Sequence, residues 1–139
     1  VTQWAALRAA LWPDSQDGYM AELDGFFSGQ SSAVTQAFVL ENDLQALIGF
    51  IEINIRQNVT GSQAETVPYI EGWFVVPAFR NLGLGEKLMY TAQNWAIEQG
   101  YSELASDVEI DNLGSIKAHR HFGFKETERV VCFIKQLQE

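Results

Sequence analysis

Apolar residues fall at helical spacing in three stretches of the chain. Trp4, Leu7 and Leu11 predict a helix over 2–11, with Thr2 as its N-cap and Pro13 as its stop. Met20, Leu23 and Phe27 predict a second helix over 18–28, followed by a polar break at 29–32. Leu84, Leu88, Ala92, Trp95 and Ala96 form one stripe over 83–99, the clearest element, and Gly100 stands where a helix ends. Other segments are apolar and too short for helices: 37–40, 46–55, 69–76 with Pro77 as its stop, a short one at 104–107, and a long one over 124–136. Glu41-Asn42-Asp43 reads as a turn and 58–65 as a loop. Asn112 is suited to cap a helix reaching about His121, which Gly123 closes. The order is helix, helix, three strands, helix, strand, helix, strand. Antiparallel hairpins followed by a βαβ unit predict an α/β fold with a mixed, mostly antiparallel sheet flanked by helices.

The 139 residues fit a single domain, 1–139, that can bury a core without disulfides or a structural metal. With 47% hydrophobic and 19% charged residues, the composition is globular rather than disordered. No apolar run is long enough to span a membrane, and no basic segment precedes an apolar one as in a signal peptide. One cysteine, Cys132, excludes an internal disulfide and fits a reducing compartment, so a cytoplasmic protein is expected. Two histidines and one cysteine offer no spaced metal-ligand cluster. The net charge of −9 argues against a nucleic-acid partner, whose phosphates need a basic surface. It favours a cationic substrate if the acids gather in a cleft; otherwise it serves solubility.

The segment with the most chemistry is Arg80-Asn81-Leu82-Gly83-Leu84-Gly85, between an apolar strand and a helix start. Backbone N–H groups and the helix dipole make such a turn a site for a pyrophosphate, and glycine lets the backbone come close. A plain strand–helix turn has the same composition. The dinucleotide pattern needs a third glycine, where Leu88 stands, and the P-loop needs Gly-Lys-Ser/Thr, whereas Glu86-Lys87 follows Gly85. Among the acids, Glu71 interrupts an apolar strand. In a regular strand it shares a face with Tyr69, Trp73 and Val75, and a buried lone acid is costly, so it is either a functional group or an edge or bulge residue. Asp107 ends the next strand, where ligand crevices of α/β sheets open, although a loop or N-cap role fits as well.

Arg80-x-x-Gly83-x-Gly85 after a strand resembles the acetyl-CoA-binding motif of the GNAT N-acetyltransferases. Asn112-x-x-Ser115-x-x-x-His119-x-x-x-Gly123-Phe124 is similar to their second signature, at the right separation and in the right order. Leu11-Trp12-Pro13-Asp14, Tyr69-Ile70-Glu71-Gly72-Trp73-Phe74-Val75, Glu103-Leu104-Ala105-Ser106-Asp107 and Glu126-Thr127-Glu128-Arg129-Val130-Val131 look like the small single-domain aminoglycoside 6′-N-acetyltransferases. The resemblance runs from about Trp4 to Lys135. It implies the GNAT acyltransferase fold and direct acetyl transfer from acetyl-CoA, as co-substrate, to a cationic amino sugar.

The resemblance also implies residue roles. Phe74, Val75 and Val76, the loop Arg80, Asn81, Leu82, Gly83, Leu84 and Gly85, and Asn112, Ser115 and His119 would hold the cofactor. Glu71 and Asp107 would serve proton removal and substrate binding, Trp12 and Glu128 would bind substrate, and His119 would protonate the departing thiolate where many family members carry a tyrosine. Trp12 with Pro13 and Asp14 equally suits simple helix termination, Glu128 an exposed strand position, and His119 a solvated helix position. Cys132 has no evident histidine partner, so it is not expected to act as nucleophile. Relatives imply a homodimer. Two features depart from the family: its first strand is expected to be missing, since the chain starts at the helix, and the loop 57–62 has no aromatic residue to offer the sugar. Acetylation of another amine, such as a polyamine or protein terminus, is the alternative enzyme reading. A non-catalytic acyl-CoA-binding module, which would need the glycine loop but not the acids, is the reading from another class.

Overall fold

A computed structural model describes residues 2–11 and 34–138, without the side chain of Thr2, and in it the patterning of the first half becomes a sheet. The expected helix over 18–28, with Trp12 and Asp14 before it, lies outside the described residues. The chain divides into two compact units, Val1–Asp107 and Val108–Glu139.

In the first unit, strand β1 (Gln36–Glu41) turns into β2 (Leu47–Gln57), antiparallel to it. Asn42 makes the turn: its Oδ1 accepts from the amides of Leu44 and Ala46 at 3.0 and 2.9 Å, a local bond that competes with strand pairing and so ends it. Strand β3 (Thr66–Val75) returns antiparallel to β2, and β4 (Ala105–Ser106) adds in parallel at Tyr69–Ile70. The order β1-β2-β3-β4 is the expected mixed sheet. Strand β3 begins three residues before the position expected from sequence, because Pro68 stands opposite Ile55 although it has no N–H to contribute.

Strand β2 is central and buried on both faces, so it is nearly continuously apolar instead of alternating. Phe50, Ile51 and Ile53 are wholly inaccessible. Helix α1 (Thr2–Leu11) lays Trp4 and Leu7 on Phe50, with Leu11, Phe74 and Val76 around them. Glu52 is also fully buried, and Arg8 of α1 meets it with Nε 2.9 Å from Oε1. Helix α2 (Leu84–Glu98) buries Leu88, Met89, Ala92 and Ala96. Met89 lies outside the expected stripe and Leu84 and Trp95 are only half-buried, because two sides of the helix meet the sheet unequally. Gly100, at φ 90°, ends the helix as expected, and the amide of Tyr101 closes it onto the carbonyl of Ala96 at 3.0 Å.

In the second unit, helix α3 (Leu113–His121) begins at Asn112, whose side chain accepts from the amide of Ser115 at 3.1 Å, and ends at Gly123 with φ 90°. The strand expected over 124–136 does not form. A strand exists only against a partner backbone, and within this unit the described residues supply none. Val130, Val131, Phe133, Ile134 and Leu137 stand 65–92% exposed on that segment.

Candidate active site

The register between β2 and β3 slips at Glu71, one of the expected site residues. Glu52 pairs with Gly72 and Ile53 with Ile70, which leaves Glu71 as the extra residue of a β-bulge. A bulge breaks the two-residue alternation and re-aims the side chain it carries. Regular alternation put Glu71 on a face with Tyr69, Trp73 and Val75; in the structure it keeps the side of Tyr69 and meets Arg56 of β2, which stands opposite Val67. Arg56 Nη2 donates to Glu71 Oε1 at 2.6 Å and Nε donates to Oε2 at 2.7 Å, a two-pronged pair with side chains 42% and 23% exposed.

The same guanidinium lies 3.7 Å from the centre of the Tyr69 ring. Tyr69 in turn donates its hydroxyl proton to Asp107 Oδ2 at 2.8 Å. Burial, then this hydrogen bond, push the Tyr69 hydroxyl well above its ordinary range, so it stays a neutral donor. The bond to Glu71 holds the Arg56 guanidinium above its own ordinary value, against partial burial. Ser106 pairs with Ile70, so Asp107 falls level with the bulge. The first unit therefore joins Glu71, Arg56, Tyr69 and Asp107 in one row. Glu71 and Asp107 were expected site residues; Arg56 and Tyr69 were not assigned roles, although strand alternation already placed Tyr69 on the side of Glu71. Glu103 holds the neighbouring loop, accepting from Ser62 Oγ at 2.7 Å and the Gln63 amide at 3.3 Å.

The glycine loop stands at the end of β3. A short 3-10 turn, Pro77–Phe79, carries the chain out of the sheet. Arg80 folds back, its Nε donating to the Val75 carbonyl at 2.7 Å. Asn81 and Gly83 both have positive φ, 65° and 78°, and curl the backbone before α2. The first described bond of the helix runs from the Lys87 amide to the Gly83 carbonyl. The amides of Leu84, Gly85 and Glu86 precede it, in the turn where a helix cannot satisfy its own N–H groups and its dipole favours an anion. Trp73 packs beside the turn: its Nε1 donates to the Gly85 carbonyl at 3.0 Å, and a Cβ at Gly85 would lie in ordinary contact with its ring, at 3.6 Å. Phe74 and Val76 turn their side chains to the core, Val75 is buried, and Leu82 is exposed.

Asn112, Ser115 and His119 come together in the second unit. His119 Nδ1 is 2.7 Å from the Ser115 carbonyl, so Nδ1 carries the proton that the carbonyl accepts. The His119 ring meets Phe124 edge-on, at 5.2 Å between centroids. Glu128 is exposed on the segment without strand structure. Trp12 lies outside the described residues.

A sheet with a bulged strand, followed by a glycine turn into a helix, defines a class, and the sequence profile of the Acetyltransferase (GNAT) family matches residues 3–124. The chain belongs to the GNAT acetyltransferase family. Its relatives narrow the comparison. It is 37% identical to an aminoglycoside N(6′)-acetyltransferase type 1 of Stenotrophomonas maltophilia, over 97% of this chain and 86% of that protein. The structure of AAC(6′)-Iy in complex with the bisubstrate analogue CoA-S-monomethyl-acetylneamine superposes with a TM-score of 0.85 at 34% identity, over 97% of this chain and 90% of that one. The 6′-N-acetyltransferase AAC(6′)-Ih of Acinetobacter baumannii gives 0.81 at 35% identity, covering 98% and 91%.

Proposed function

We propose that this protein transfers an acetyl group from acetyl-CoA to the 6′-amino group of an aminoglycoside by direct attack, and so confers resistance. The observation that carries the reading is the placement of two carboxylates, Glu71 and Asp107, in the same unit as a glycine turn at the end of β3. The glycine turn offers amides to the pyrophosphate, and the acids attract a polycation. The amine loses a proton to a carboxylate, directly or through water, and its nitrogen attacks the thioester carbonyl. The tetrahedral intermediate collapses with departure of the CoA thiolate; the nitrogen gives up its second proton through water, and the thiolate takes a proton from the His119 imidazolium. Glu128 and Trp12 complete substrate binding, and Asn112 and Ser115 the cofactor side. In this reading the two units act as one domain over 1–139, which the span of the family match, 3–124, supports.

The protein acts as a homodimer in the cytoplasm. Among the described residues no helix is long and apolar enough to cross a membrane, and Cys132 is free. The apolar side chains exposed along 130–137 favour a second copy as their cover. CoA release measured over a panel of aminoglycosides, polyamines and peptides tests the activity. Turnover confined to aminoglycosides with a 6′-amino group is the expected result. Turnover of polyamines or peptides alone would replace the substrate, and acetyl-CoA binding without turnover of any amine would replace the enzyme with a binding module.

A further inference from the structure

We propose that Arg56 is a positioning residue of the acetyl transfer: its guanidinium fixes Glu71 by two hydrogen bonds and Asp107 through the Tyr69 ring, and its charge partly offsets theirs at the acceptor amine. The inference rests on the reading of Glu71 and Asp107 as the acids that meet the substrate.

Two carboxylates beside an amine act in opposite senses. They draw the ammonium in, and they also stabilise its proton, which must leave before attack. A fixed cation beside them reduces the second effect. Arg56 pairs with Glu71 directly and lies over the Tyr69 ring, whose hydroxyl holds Asp107. Glu71 and Tyr69 face it from β3, and Asp107 faces it from the segment after β4. A guanidinium keeps its charge at every accessible pH and presents a rigid planar fork, so the offset is constant and the geometry of Glu71 is set. Half-exposed at 42%, Arg56 is not a core residue held for packing alone.

Full-length protein carrying Arg56→Gln or Arg56→Lys tests this. The first readout is the pH profile of kcat for neamine, a 6′-amino aminoglycoside, at saturating acetyl-CoA. Losing the cation leaves the bound ammonium among uncompensated carboxylates, so the acidic limb of Arg56→Gln should move to higher pH by about one unit while KM for neamine falls. Arg56→Lys keeps the charge, so its limb should stay near that of the native protein, with a lower kcat from the lost second prong. If Arg56→Gln fails to fold, Glu71→Gln supplies the opposite sign, a limb moved to lower pH. A limb unmoved in Arg56→Gln, or moved equally by Lys and Gln, overturns the proposal.

A second readout needs no turnover. Calorimetry of neamine binding to the CoA-loaded protein, in two buffers of different ionisation heat, counts protons taken up. Arg56→Gln should take up more than the native protein, and equal uptake overturns the role of Arg56. Native protein that binds neamine with no acetyl transfer would sink the acetylation reading alone, while this count still decides Arg56. Native protein that does not bind neamine overturns both.

Discussion

At the scale of single residues, the two acids are not equivalent. Both oxygens of Glu71 are engaged by Arg56, whereas the bond from Tyr69 takes only Oδ2 of Asp107. The other oxygen of Asp107 is the better placed to receive a proton from substrate or water. Asp107→Asn should therefore lower kcat on the order of 10²–10⁴-fold, as loss of a general base does, while Glu71→Gln should raise KM more than it lowers kcat. Sequence position alone favours the opposite division, with Glu71 as the base, since Glu71 lies in the strand that leads into the glycine loop. Steady-state kinetics with a 6′-amino aminoglycoside distinguishes the two. Tyr69 makes a separate prediction. Its proton is held more tightly in the fold than in the unfolded chain, so its contribution to stability is fully present below about pH 10 and is lost as pH rises beyond that. Denaturant melts of Tyr69→Phe should lose less stability above pH 10 than those of the native protein. Parallel curves would show that Tyr69 does not carry the effect.

At the scale of elements, the glycine turn separates conformation from charge. Gly83 has φ 78° with nothing within 4 Å of the position its Cβ would take, so a side chain there meets strain but no clash. Asparagine tolerates this left-handed region better than most residues, and aspartate differs from it mainly in charge. Gly83→Asn should keep the fold and much of the acetyl-CoA affinity. If the loop holds the pyrophosphate as proposed, Gly83→Asp should bind acetyl-CoA at least about tenfold more weakly than Gly83→Asn, because its carboxylate would repel the phosphates. Equal affinities by titration, with unchanged circular dichroism, would remove the phosphates from this loop. The loop and α2 were legible because glycines, Pro77 and a 3.6-residue period are all local signals. The bulge was legible only as one alternative for Glu71, beside an edge position and a functional role, since it is a mismatch between two strands and neither strand records it alone. The same limit hid Glu52. It interrupts an apolar strand just as Glu71 does, yet it is the fully buried acid, matched by Arg8 from a helix 44 residues away in sequence.

At the scale of the whole molecule, the net charge of −9 makes substrate capture sensitive to salt. KM for an aminoglycoside should rise steeply between low and high salt at saturating acetyl-CoA. A flat response would count against an acidic cleft. The exposed apolar tail carries the remaining prediction. Replacing Phe133 and Ile134, 92% and 89% exposed, with aspartate should convert a dimer to a monomer in sedimentation experiments. A dimer that survives the double substitution uses another surface, and a native monomer removes the dimer altogether.

Sequence by itself determined the elements whose causes are local. Helices α1, α2 and α3 follow from apolar period and end residues, the β1–β2 turn from Asn42, and the glycine turn from its own composition. Its motifs also determined the family, since two signatures at the right separation are far more specific than either one. Tertiary structure decided what depends on two segments meeting. It placed Glu71 on a bulge and gave it Arg56, set the Tyr69 hydroxyl on Asp107, and reserved Glu52 for the core. It also left 124–136 without strand structure, although its residues suit a strand, because β-structure is a property of paired backbones and a single segment cannot supply its own partner.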